Sequence, residues 1–166
     1  MKELFQGRRF GFAPRPALAY VAVGLGIALT LTDLMAWFAW GASDTTGFVI
    51  VSDWLAHTVT VVLALAVLAA LAEHIDVPGD DRALARLDLV AGLVAFLIYA
   101  ASTFLRMFDA GAPAASPAPF LLAIAGLIVT FVDAAVAGNL YSAREWEELE
   151  EEPLRDRRPR RRAASR

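Results

Sequence analysis

The chain has 166 residues, 58% of them hydrophobic and 20% charged, with a formal net charge of −3. Soluble domains sit near ~45–50% apolar, so this composition, with a mean hydropathy of +0.53, points away from a water-soluble fold. The chain has no cysteine, which excludes disulfides, Cys-ligated zinc, iron–sulfur clusters and thiol catalysis and says nothing of compartment.

A membrane-crossing helix needs about 20 predominantly apolar residues. Four segments meet that length, at about 17–41, 48–73, 87–108 and 119–142. They predict an all-α polytopic membrane protein, a four-helix up-down bundle over 17–142. It is flanked by an N-terminal segment 1–16 and an acidic-then-basic tail 143–166. The first segment is too long for a signal-peptide core of about 7–15 residues and carries Asp33, so it is expected to be a retained helix.

Pro16 suits the first turn of helix one, where its missing N–H is no loss. Trp37, Phe38 and Trp40 at the end of helix one, and Trp54 near the start of helix two, suit a membrane interface. The polar turn at 41–47 joins the two helices as an antiparallel hairpin. Pro78-Gly79 breaks the chain after helix two, and the proline-rich stretch 111–119 separates helices three and four.

Orientation follows from Lys and Arg. Lys2, Arg8, Arg9 and Arg15 lie at the N-terminus, Arg82 and Arg86 between helices two and three, and eight arginines in the tail, whereas 42–47 and 109–118 have none. The positive-inside rule then puts both termini in the cytoplasm. The Ala, Arg and Gly content fits a bacterial inner membrane by association. Arg157, Arg158, Arg160, Arg161 and Arg162 form a basic cluster expected to be disordered and to attract anionic lipid. No aromatic platform accompanies it, so nucleic acid is not expected as a partner.

Helix four has small residues at every fourth position, Gly126, Thr130, Ala134 and Gly138. Such a row lets another backbone approach closely in lipid. It predicts a packing face, either within the bundle or toward a membrane-protein partner or second copy.

Intramembrane ionisable residues carry the functional question, because each costs ~2.5–3.5 kcal/mol at a helix centre unless paired. Asp33 and His57 lie at matching depths, ~12 and ~13 Å from one end of the bundle, with Asp53 and Arg106 shallower. The four are expected to face the interior, with Asp33–His57 as the proton-handling pair and Asp53–Arg106 a second pair. Asp133 reads as isolated, and Asp88 as a carboxylate at the positive end of helix three. Glu73, His74 and Asp76 point different ways from one helix, so no metal is expected. The two histidines, ~25 Å apart on helix two, cannot clasp one haem; a single axial His57, or a haem shared between copies, is the arrangement left open. No GxSxG, HExxH or Walker motif is present, and no catalytic residue is assigned.

The segments "LTDLMA" with Asp33, "LAEHID" with Asp76, "ARLDLVAGLVAFLIYAASTFLR" and "AGNLYSARE" with Gly138, Asn139, Leu140 and Tyr141 resemble a bacterial family of small four-helix membrane proteins catalogued as a domain of unknown function. The resemblance covers about 25–142. It lacks the family's histidine-proline signatures near helix one and has Asp88 where a helix-three histidine would stand. It implies a fold and no activity. The expected function is a non-enzymatic inner-membrane accessory or scaffold subunit. The alternatives are a small proton-linked transporter or relay built on Asp33, Asp53, His57 and Arg106, and a cofactor-binding (haem or quinone) redox protein.

Overall fold

The computed structural model describes residues 14–40, 44–75, 82–108 and 112–156, with side chains described through 140. It is all-helical. Helix α1 spans Pro14–Trp37, α2 Thr46–His74, α3 Arg82–Arg106 and α4 Pro117–Asp156. Pro14–Trp37, Thr46–His74, Arg82–Arg106 and Pro117–Leu140 are each long and apolar enough to cross a membrane. Helix α3 starts at Arg82, ahead of the expected 87, and α4 runs unbroken through Pro153 to Asp156. The basic cluster Arg157, Arg158, Arg160, Arg161 and Arg162 lies outside the described residues.

The helices form a ring in chain order: α1 packs on α2, α2 on α3, α3 on α4, and α4 back on α1. Trp37 and Thr45 meet residues 113–115 at one end of the bundle, here the turn end. There Trp37 Nε1 donates to the Ala115 carbonyl at 2.9 Å and Thr45 Oγ1 to the Pro113 carbonyl at 2.7 Å. Trp37 also stacks on Phe120, with centroids 5.4 Å apart.

Helix α1 ends in a Schellman-type cap. Trp40 N–H donates to the Met35 carbonyl at 3.0 Å and Ala39 N–H to the Ala36 carbonyl at 3.3 Å. Ala39 takes φ 46°, the left-handed position usually given to glycine.

What makes the four helices converge is a seam of small residues. Along α1 the buried positions are Arg15, Ala19, Ala22, Gly26, Leu29, Asp33 and Ala36; along α2 they include Ser52, Ala56, Val59, Leu63, Ala66 and Ala70. On α3 they include Ala85, Asp88, Gly92, Ala95, Tyr99, Ser102, Thr103 and Arg106. On α4 they run Pro119, Ala123, Gly126, Thr130, Asp133, Ala137 and Leu140. The spacing alternates three and four, averaging 3.5, the period of a left-handed bundle. Alanine and glycine fill the seam and the large apolar side chains face out, a distribution that close packing between helices in lipid would favour.

The small-residue row of α4 runs along this seam only part of the way. Gly126, Thr130 and Ala134 are buried, but Gly138 is half-buried. A strict four-residue step drifts ~40° per repeat round a helix of 3.6 residues per turn, which carries Gly138 to the edge of the seam.

Tyr99 is the largest apolar insertion into this core. It is fully buried, and two glycines make room for it. A Cβ on Gly126 would stand 2.8 Å from Tyr99 Cε2, and one on Gly26 would collide with the Tyr99 hydroxyl.

Candidate functional site

The polar groups of the interior fall into two layers. The first lies in the turn-end half and is centred on Arg106, buried in the last turn of α3. Its Nη1 donates to Asp33 Oδ1 at 3.0 Å and its Nη2 to Asp33 Oδ2 at 2.5 Å. Nη1 also reaches Ser52 Oγ at 3.2 Å and lies 3.7 Å from Asp53 Oδ1. This two-pronged geometry suits the planar guanidinium. One arginine thus joins α3 to α1 and α2. Its Nε has no hydrogen-bond partner among the described residues.

The second layer lies at the opposite end and is centred on Arg15, fully buried in the first turn of α1. Its Nε and Nη2 donate to Asp88 Oδ2 and Oδ1 at 3.0 and 2.9 Å. Its Nη1 donates to Asp133 Oδ2 at 3.2 Å, and its Nη2 also donates to Asp133 Oδ1. The layer joins α1 to α3 and α4. Gly92 forms its floor: a Cβ there would sit 3.1 Å from Arg15 Nη2 and 3.2 Å from Asp133 Oδ1.

Away from these two charged centres the polar contacts are hydroxyl-mediated. Thr60 and Thr103 hydroxyls lie 3.0 Å apart, and Thr103 Oγ1 also donates to the Ala56 carbonyl at 3.0 Å. Ser102 Oγ donates to the Pro119 carbonyl at 2.7 Å. The Tyr99 hydroxyl is buried without a hydrogen-bond partner among the described residues, with Thr130 beside it.

The expected outer-half cluster is rearranged. Asp33 and Arg106 meet, and Asp53 is half-exposed at their edge. His57 does not face the interior, and the expected Asp33–His57 pair is not formed. His57 is exposed, with Nδ1 2.7 Å from the Asp53 carbonyl of its own helix. The reason is angular. The seam of α2 runs through Ser52, Ala56 and Val59, and each next residue turns ~100° away. Asp53 and His57 therefore flank the seam on its outer side.

Two further expectations are corrected. Asp133 is not isolated; it is held by Arg15. Asp88 does not open α3, which begins a turn and a half earlier, and its carboxylate faces Arg15. In the sequence Arg15 reads as one more topology-setting charge beside the N-terminus. The signal that marks it is its register: Arg15 continues the seam of Ala19, Ala22 and Gly26, and Asp88 and Asp133 occupy seam positions on their own helices.

Among the described residues no group of three or more His, Asp or Glu side chains is arranged to hold a metal ion. His57 and His74 both lie on α2. No family model, curated protein or solved structure matches the chain, so the likeness to the four-helix family rests on its short motifs alone.

Proposed function

We propose that the chain is a non-enzymatic integral membrane protein of a bacterial inner membrane, an accessory or scaffold subunit with both termini in the cytoplasm. The observation that carries this reading is where the buried charge goes. Arg15, Asp33, Asp88, Arg106 and Asp133 each tie one helix to another, and the seam between the layers is filled with alanine, glycine and close-packed Tyr99. Breaking a buried ion pair strands a charge at a cost of several kcal/mol, so pairs made across helices favour this packing over others, as a rigid platform requires. The large exposed apolar side chains of all four helices then face lipid or a membrane partner. The basic tail adds a contact to anionic lipid, about 1 kcal/mol per residue near the surface.

Proton flux into proteoliposomes carrying an entrapped pH dye tests the reading. A scaffold gives flux equal to that of empty liposomes, and Asp33→Asn changes only stability. Flux above that background, abolished by Asp33→Asn in a folded protein, overturns it in favour of a proton relay. The half-exposed carboxylate of Asp53, 3.7 Å from Arg106, is the observation that favours that second reading. An absorbance spectrum before and after dithionite addresses the cofactor reading; a Soret band lost in His57→Ala would make His57 a haem ligand.

A further inference from the structure

The turn-end layer carries more negative than positive charge. Among the described residues near that end the acids are Asp33, Asp44 and Asp53, and the permanently charged base is Arg106. Asp33 takes both Arg106 prongs at 3.0 and 2.5 Å, while Asp53 stands off at 3.7 Å with a side chain 39% exposed. Asp53 is therefore a carboxylate only partly neutralised from inside. Its exposed side opens into a shallow groove of about 170 Å³ lined by Asp53, Trp54 and His57.

The other two walls suit a cation. Trp54 is 71% exposed, and an indole face attracts ammonium groups by its quadrupole. Trp54 and His57 rings stand 6.4 Å apart and inclined at 52°, a partial cage rather than a stack. His57 Nδ1–H donates to the Asp53 carbonyl at 2.7 Å, which holds the imidazole ring beside Asp53 and Trp54. The groove is walled mainly by apolar ring surface, and the half-exposed Asp53 carboxylate beside it supplies the negative charge that an ammonium needs.

Depth selects the source of that ammonium. Helix α2 has 29 residues, ~43 Å at 1.5 Å per residue, against a hydrocarbon core of ~30 Å. With the excess shared between its ends, Asp53 lies within ~4 Å of the hydrocarbon boundary. That is on the hydrocarbon side of the boundary, a short step below the headgroup layer, with Trp54 in the aromatic belt beside it.

We propose that the Asp53–Trp54–His57 groove binds the ammonium headgroup of an aminophospholipid such as phosphatidylethanolamine. Asp53 takes its N–H groups, Trp54 covers its charge, and His57 lies one turn deeper in the groove. Choline lipids keep the ring contact but lack the N–H donors, and phosphatidylglycerol lacks the cation altogether.

The test is native mass spectrometry of the full chain, purified in mild detergent and offered phosphatidylethanolamine, phosphatidylcholine and phosphatidylglycerol with matched acyl chains. Phosphatidylethanolamine adducts should exceed phosphatidylglycerol adducts at least fivefold, with phosphatidylcholine between. Asp53→Asn and Trp54→Ala should each bring that ratio near one while helicity and thermal midpoint stay within a few degrees. Both variants should fold, because Arg106 keeps Asp33 and the Trp54 side chain lies outside the core. A wild-type ratio near one, or a ratio unmoved by both variants, overturns the proposal.

Carbodiimide coupling in native membranes reads the site independently, since it condenses a carboxylate with a nearby amine with loss of water. A mass increase of one phosphatidylethanolamine on the Asp53 peptide supports the lipid. An amide to a lysine of another chain, or of a second copy, overturns it. Neither readout depends on proton flux, so this proposal and the scaffold reading fail separately.

Discussion

Arg106 and Asp33 face each other from α3 and α1 with guanidinium and carboxylate joined by two hydrogen bonds, both side chains nearly inaccessible to solvent. Removing one partner of such a pair leaves the other buried and uncompensated, which costs about 3–5 kcal/mol in water-soluble proteins. Asp33→Asn and Arg106→Gln should each destabilise the bundle by an amount of that order. The double variant should lose clearly less than the sum, because the second change removes the stranded charge. Reversible unfolding in mixed micelles measures all three; additive losses would mean that the pair is not coupled.

Arg15 predicts a difference between two basic residues. Its fork meets Asp88 and Asp133 from two other helices at once. Lysine keeps the charge but offers a point ammonium on a flexible stem, without the planar array of donors. Arg15→Lys should therefore lower the unfolding midpoint nearly as much as Arg15→Met combined with Asp133→Asn. A fully tolerated lysine would show that charge, not geometry, holds α1 to α3 and α4.

Tyr99 separates shape from hydrogen bonding. Its ring fills the space left by Gly126, while its hydroxyl is buried and unpartnered among the described residues. Tyr99→Phe keeps the ring and removes an unsatisfied polar group, whose burial costs about 1–3 kcal/mol, so stability should rise or stay level. Gly126→Ala puts a methyl 2.8 Å from the ring, and overpacking of that kind costs about 1–3 kcal/mol. Loss of stability in Tyr99→Phe would indicate that the hydroxyl bonds Thr130, directly or through a water.

Ala39 occupies a left-handed position at φ 46°, which costs an L-residue with a Cβ about 1–2 kcal/mol. Ala39→Gly should stabilise the end of α1 by roughly 0.5–1 kcal/mol after glycine's greater unfolded entropy is deducted. A rise in unfolding midpoint with unchanged helicity checks it.

At the start of α2, Asp44 Oδ1 accepts the Thr46 N–H at 2.9 Å and its hydroxyl at 2.6 Å. These bonds favour the ionised form and hold the Asp44 carboxyl below its ordinary value. A depressed folded value contributes stability that is present above the ordinary carboxylate range and lost as pH falls through the folded value. Hydrogen exchange at Phe48 and Val49, corrected for intrinsic exchange, should show α2's first turn fraying on acidification below that range. Asp44→Ala should fray it at neutral pH as well, since the caps at Thr46 are then gone at every pH.

The four helices were legible in the residues alone, because runs of some 20 apolar residues separated by Pro, Gly and charge read as helices of membrane-crossing length. Asp33 and Arg106 were legible as interior groups for a related reason: an unpaired charge cannot face lipid cheaply. His57 could not be told apart from them. Asp53 and His57 share a helix stripe whether that stripe points in or out, and in a segment apolar all round no polar face marks which side meets the other helices.

Packing resolves that ambiguity through the seam of small residues. Once Ala56, Val59 and Leu63 pack inward, Asp53 falls at the rim and His57 outside. The same packing brings Arg15 to Asp88 and Asp133 across sequence separations of 73 and 118. No local pattern encodes a pairing over that distance; it exists because three helix faces converge and a buried guanidinium needs carboxylates within reach.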